Sequence, residues 1–148
     1  MSVTPIILAA GESSRMGSAK ALLEFGGHTC LQKILACCAR SGAAEPIVVL
    51  GHLAEDIAVA VPEGVRVVVN ETYQRGQTSS LKTGLVALPP RSDGFLLFPV
   101  DVPLVQASTV DLLLPTERPI AIPTHGGKRG HPALFRQSHC IYPAGQQM

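Results

Sequence analysis

Five short apolar runs punctuate the chain: Ile6–Ala10, Pro46–Leu50, Val65–Val69, Phe95–Phe98 and Pro119–Ile122. They are rich in β-branched or aromatic residues and do not alternate with polar ones, the pattern of strands in a sheet covered on both faces. Helical patterns lie between them. Leu31, Ile34, Leu35 and Cys38 fall at i, i+3, i+4 and i+7 and form one apolar stripe. Thr29 and Gln32 stand at the start of that stripe at the spacing of a capping box, and Gly42 is placed to stop the helix. A second helix is expected near Leu53–Val61, ended by Pro62. A third begins near Thr78–Ser80, packs through Leu81, Leu85 and Leu88, and stops at Pro89-Pro90. Gly84 inside it costs about 1 kcal/mol relative to Ala, so close packing against the sheet or a ligand is expected there. A fourth runs from about Ser108 to Leu114. Strands alternating with helices predict a mostly parallel α/β sheet with right-handed crossovers.

At 148 residues the chain fits one domain spanning 1–148, with a core at 3–135 and an irregular polar tail at 136–148. Twelve Lys and Arg against eleven Asp and Glu leave a formal charge of +1, so no global basic field recruits nucleic acid. Aromatics make up 4% and Trp is absent, which weakens a base-stacking reading further. The cysteines Cys30, Cys37, Cys38 and Cys140 form no C-x-x-C pair. They read as small buried hydrophobes in a reducing cytosol rather than as zinc ligands. No apolar run approaches the roughly 18–20 residues of a spanning helix, and the N-terminal run lacks a preceding cation, so neither a membrane segment nor a signal peptide is expected.

Candidate chemistry gathers after the strands, where an open parallel sheet binds its ligands. The first run breaks into Gly11-Glu12-Ser13-Ser14-Arg15-Met16-Gly17-Ser18-Ala19-Lys20. Small residues there let backbone N–H groups approach a phosphate, and Arg15 and Lys20 offset its charge. The loop is neither a Walker P-loop, lacking G-K-[ST], nor a dinucleotide fingerprint. Asp101 follows the fourth run; its residues alone leave a Mg²⁺-binding role and a turn-forming role equally open. Gln77-Thr78-Ser79-Ser80 reads as a helix N-cap cluster whose hydroxyls also suit a base or ribose edge. Asn70 suits ribose, base or a turn. Lys128 reads as part of an exposed basic loop, and His28, His52, His125 and His139 show no ligand spacing.

Four segments, taken in order, resemble one family. They are Leu8-Ala9-Ala10-Gly11 through Lys20, Gly76-Gln77-Thr78-Ser79-Ser80-Leu81-Lys82-Thr83-Gly84-Leu85, Asp101-Val102-Pro103-Leu104-Val105, and Arg129-Gly130-His131-Pro132-Ala133-Leu134-Phe135. The pattern is similar to that of the molybdenum cofactor cytidylyltransferases, which are MobA-like NTP transferases. The resemblance implies a three-layer α/β/α nucleotidyltransferase domain of the glycosyltransferase-A type, like the nucleotide-diphospho-sugar transferases. It implies Lys20, Arg15 and Asp101 as catalytic residues, with Mg²⁺ on Asp101. It also implies a nucleotide site drawn from Leu8, Ala9, Ala10, Gly11, Ser13, Ser14, Asn70, Gln77, Thr78, Ser79, Ser80 and His131.

The implied reaction is transfer of CMP from CTP to molybdenum cofactor in the cytoplasm, with release of pyrophosphate. A molybdoenzyme or its chaperone is the implied recipient; no nucleic acid or membrane partner is implied. Guanylyltransferases and sugar-phosphate nucleotidyltransferases are the nearest alternatives. Relatives continue well past the G-H-P segment, so the chain is expected to be short at its C-terminus, and a non-catalytic nucleotide- or cofactor-binding protein is a third reading. Leu-Ala-Ala-Gly favours CTP, because the Ala10 methyl crowds a purine where Gly would not. A competition titration is expected to show tighter binding of CTP than of GTP; equal or tighter GTP binding removes that argument.

Overall fold

Seven consecutive buried residues form β1 (Val3–Ala9), the centre of a six-stranded sheet. In the computed structural model, residues 2–11, 20–102 and 104–136 are described. Ser13, Ser14, Arg15, Cys140 and the tail from Gln137 lie outside the described residues.

After a 3₁₀ turn at Lys20–Leu22 come the hairpin strands β2 (Glu24–Phe25) and β3 (His28–Thr29) and the helix α1 (Cys30–Arg40). Then follow β4 (Ile47–Leu50), α2 (Ala54–Ala58), β5 (Arg66–Val69), a 3₁₀ turn at Tyr73–Arg75 and α3 (Gln77–Val86). The rest is β6 (Gly94–Pro99), α4 (Ala107–Leu113), β7 (Ile120–Ala121), β8 (Thr124–His125), β9 (Lys128–Arg129) and β10 (Ala133–Arg136). The main sheet runs β5-β4-β1-β6-β10-β7. Its first four members are parallel, and β10 is antiparallel to both of its neighbours.

Successive residues of a strand face opposite sides, and here they divide the core into two layers. Ile7 and Ala9 pack with α1, α4, Val48, Leu50, Leu96 and Phe98 on one face. Ile6, Leu8 and Ala10 pack with Ile47, Val49, Phe95 and the α3 leucines Leu81 and Leu85 on the other. The result is helices on both sides of a mostly parallel sheet, as the alternation of runs predicts.

The capping box forms as expected. Gln32 N–H donates to Thr29 Oγ1 at 3.1 Å, and Thr29 N–H donates to Gln32 Oε1 at 2.9 Å. Gly42 does not stop the helix. The N–H of Ser41 closes α1 on the Cys37 and Cys38 carbonyls, both at 3.2 Å. Gly42 instead donates to Asp111 Oδ1 at 2.8 Å and leaves only 3.3 Å between a Cβ placed there and the Leu114 side chain, so it allows α1 and α4 to approach.

Two further expectations are corrected. The strand at 66–69 lies at a sheet edge with exposed and half-buried residues, so its apolar run is not evidence of two covered faces. Arg136 belongs to β10, a strand that four residues could not announce, and not to an irregular tail. Two hairpins turn on Gly26-Gly27 and Gly126-Gly127, all at positive φ. A Gly-Gly pair between short extended segments is the sequence signal for such turns.

Cys30, Cys37 and Cys38 are buried free thiols. Burial, with a smaller push from the neighbouring Cys37, raises the Cys38 thiol to about 12. Its raised value means that the folded chain binds more protons than the unfolded one above pH 9, so stability is expected to fall as pH climbs from 9 to 12. Urea midpoints measured across that window test this. Cys38→Ala should flatten the slope, and an unchanged slope assigns it to other groups.

Gly84 lets α3 sit close on the sheet. A Cβ there would stand 2.7 Å from Ile6 Cγ2 and 3.2 Å from Val49 Cγ2. Gly84→Ala gains about 1 kcal/mol of helix propensity but overpacks a fully buried site, which costs about 1–3 kcal/mol. Net destabilisation by denaturant unfolding is expected; a more stable variant would show that α3 is free to move off the sheet.

Candidate functional site

Strand order reverses direction between β1 and β6: the chain goes one way from β1 to β4 and β5, then crosses back to β6. A crevice therefore opens at the carboxyl ends of β1 and β6. Main-chain bonds fix both lips. Val100 N–H donates to the Leu8 carbonyl at 3.2 Å, and His52 N–H donates to the Ala10 carbonyl at 3.0 Å. A cavity of about 450 Å³ occupies the crevice. Leu8, Ala9, Ala10 and Gly11 line it from β1, and Pro99, Val100 and Asp101 from β6. Gln77 and Ser80 of α3 and the Tyr73–Gly76 turn close the remaining side.

Asp101 is exposed at this mouth and is the only carboxylate among the described lining residues. Among the described residues no cluster of three or more His, Cys, Asp or Glu is placed to hold a metal ion. One carboxylate on an open pocket fits a cation that takes its other oxygens from phosphate and water, not an all-protein cage.

Asn70 is buried after β5 and its amide is committed inside the protein. Its Nδ2 donates to Ser79 Oγ at 2.9 Å and Ser80 Oγ at 3.0 Å, while its Oδ1 accepts from Thr72 N–H and Oγ1, both at 3.0 Å. Thr78–Ser80 do not cap α3 either. The N-cap is Gly76, at φ 104°, with no side-chain cap bond. Ser79 Oγ lies 2.8 Å from the Gly76 carbonyl it donates to, and Thr83 Oγ1 donates to the Ser79 carbonyl at 3.0 Å. The cluster knits the turn to the helix.

Of the sequence-predicted residues, the crevice brings together Leu8, Ala9, Ala10, Gly11, Gln77, Ser80 and Asp101. Asn70, Thr78, Ser79 and His131 do not line it. His131 is exposed and precedes β10, whose Ala133 pairs with Leu97 of β6, so it stands at the same sheet edge one strand beyond the Asp101 loop. Lys20 opens the 3₁₀ turn that carries Ala21 into the cavity wall. Sequence reasoning missed Tyr73, Gln74, Ile57 and Ala21. No local pattern marks them, because folding alone carries their turns to the crevice.

A ligand crevice at a switch point, with Ala9, Ala10 and Gly11 on one lip and a carboxylate on the other, is the layout of a nucleotide-handling α/β protein. Comparison with known proteins agrees. Residues 5–147 match the MobA-like NTP transferase domain, and the chain belongs to that family. Nicotine blue oxidoreductase of Paenarthrobacter nicotinovorans is 33% identical over 140 residues, covering 93% of this chain and 68% of that protein. Bifunctional protein GlmU of Xanthobacter autotrophicus is 34% identical over 116 residues, covering 76% of this chain. The chain spans 26% of that GlmU, about a quarter of its length. The crystal structure of Rv0371c from Mycobacterium tuberculosis superposes with a TM-score of 0.84 at 29% identity, covering 93% of this chain and 72% of that one. Its manganese complex gives 0.81 at 28% identity, with the same coverage. The fold is that of the nucleotidyltransferases, as the four ordered segments imply.

Asn70→Ala removes a hydrogen-bond partner from three hydroxyls and a backbone N–H at a part-buried junction. A stability loss of about 2–3 kcal/mol is expected from chemical denaturation. If Asn70 acted only as a nucleotide ligand, stability would hold and affinity alone would fall.

Proposed function

We propose that the chain is a metal-dependent nucleotidyltransferase acting on a nucleoside triphosphate, and that CTP and molybdenum cofactor are its donor and acceptor. The observation that carries this reading is the switch-point cavity, with Ala9–Gly11 on one lip and Asp101 on the other. A phosphate oxygen of the acceptor attacks the α-phosphorus of CTP, the bond to the β-phosphate breaks, and pyrophosphate leaves. Positioning and charge neutralisation are the main demands of such a transfer. The nucleoside meets Leu8–Gly11, Gln77 and Ser80, Lys20 and Arg15 offset the charge of the triphosphate, and His131 serves the acceptor. Asp101 holds a divalent cation, Mg²⁺ in the cell. Such an ion, when bound, neutralises charge on the phosphate oxygens. The manganese complex of the Rv0371c structure supports divalent-cation use in the family.

Among the described residues no helix is long and apolar enough to cross a membrane. A molybdoenzyme or its chaperone in the cytoplasm receives the product on this reading. A guanylyltransferase or sugar-phosphate nucleotidyltransferase differs only in base or acceptor. A relative named as an oxidoreductase covers most of the chain, so release of pyrophosphate is the readout that matters. CTP, GTP and ATP are to be screened with Mg²⁺ by thermal shift, then by pyrophosphate release with molybdenum cofactor as acceptor. Stabilisation by CTP and pyrophosphate formation are expected. Nucleotide binding without turnover selects the non-catalytic reading, and no binding removes the nucleotide reading.

Asp101→Asn keeps size and loses charge, so Mg²⁺-dependent transfer should fall by about a hundredfold or more while the unfolding midpoint holds. Activity with unchanged metal dependence would leave Asp101 a turn residue only. Lys20→Ala should weaken CTP much more than cytidine; equal losses point to misfolding.

A further inference from the structure

Gly51 ends the run of β4, and its empty side-chain position is filled by a neighbour. A Cβ there would stand 2.7 Å from Tyr73 Cβ, 2.9 Å from Tyr73 Cγ and 3.0 Å from Ala10 Cβ. No larger residue fits while Tyr73 keeps its place. The adjacent His52 also meets Tyr73, with ring centroids 5.8 Å apart and planes tilted by 56°. Tyr73 and Ala10 both line the cavity, together with Gln74, Gly76 and Gln77. Gly76 N–H donates to the Tyr73 carbonyl at 3.0 Å, so the turn moves with Tyr73 as a unit. Gly51 is therefore a notch that seats one aromatic wall of the crevice against the end of β1.

We infer that Tyr73, seated by the notch at Gly51, is a specificity-determining residue that limits the size of the base the cavity accepts. This rests on the nucleotide-binding reading above. A cavity of about 450 Å³ must hold base, ribose and phosphates together. A phenol ring on its wall beside the Ala10 methyl then decides whether a second base ring fits, and exclusion by a fixed wall is a standard route to specificity. Gly51 is a positioning residue that acts through Tyr73.

Isothermal titration of CTP and GTP, with Mg²⁺, on the full chain tests this. The proteins compared are the wild type, Tyr73→Ala, Tyr73→Gly, Gly51→Ala and Gly51→Ala combined with Tyr73→Gly. Tyr73→Ala is expected to cut the preference for CTP over GTP by about tenfold. Gly51→Ala should weaken CTP binding by about tenfold in the wild type but by less than about twofold on Tyr73→Gly, where the contacts to both Tyr73 Cβ and Cγ are gone. A purely structural glycine would cost the same in both backgrounds. That result, or an unchanged CTP-to-GTP ratio in Tyr73→Ala, overturns the inference. Should Gly51→Ala fail to fold, the Tyr73→Ala ratio decides alone. A wild-type chain that binds neither nucleotide fails the nucleotide reading itself and takes this inference with it, whereas binding with an unchanged ratio fails this inference only.

Discussion

Burial of β1 on both faces is the constraint from which the crevice follows. Ile6 and Ile7 are fully buried and face opposite layers, so this strand has only the centre of the sheet open to it. Each such side chain contributes about 1.5–3 kcal/mol relative to exposure. Once β1 is central and parallel to both β4 and β6, the backbone at Ala10–Gly11 must emerge between diverging loops. The same strand dictates where glycine is needed. Gly84 lets α3 settle on Ile6, and Gly51 lets Tyr73 settle beside Ala10.

A second, polar constraint shapes the other wall. Asn70 satisfies Thr72 on one side and Ser79 and Ser80 on the other, so the end of β5, the following turn and the start of α3 form one hydrogen-bonded piece. Polar residues at the carboxyl edge thus divide by task. Asp101, Gln77 and Ser80 face the cavity, whereas Asn70 and Ser79 hold the backbone that presents it. Their types look alike in sequence, and only the bonds and cavity of the folded chain separate them.

Legibility followed the range of the interactions. The Thr29–Gln32 box and the α1 stripe depend on neighbours within a few residues, and both were readable. The apolar runs at 6–10, 46–50 and 95–98 were readable because central parallel strands carry no polar alternation. Gly84 was legible as a costly helix residue that implies packing. By contrast, β10 owes its place to Leu97, Leu96 and Phe95 of a distant strand, so its four residues had no signature of their own. Gly42 followed the usual sequence of a helix stop, yet its reason is the approach of α4, which no local pattern records. Tyr73 reached the crevice through Gly51, more than twenty positions away in the chain. Two of the family segments border the crevice, because they follow β1 and β6 directly.

The antiparallel insertion of β10 has its own safeguard against mispairing. Phe135 stacks on Phe95 with centroids 4.9 Å apart in the α3 layer. Arg136 points the other way and donates from Nε to the Thr116 carbonyl at 2.7 Å and from its guanidinium to the Leu114 carbonyl, beyond the end of α4. A shift of one residue exchanges the two faces of a strand. Here it would drive a guanidinium into the aromatic layer and leave two carbonyls bare, so a slipped strand is penalised on both sides of the sheet at once. The chain thus proofreads the alignment of the strand that carries the G-H-P segment to the site edge.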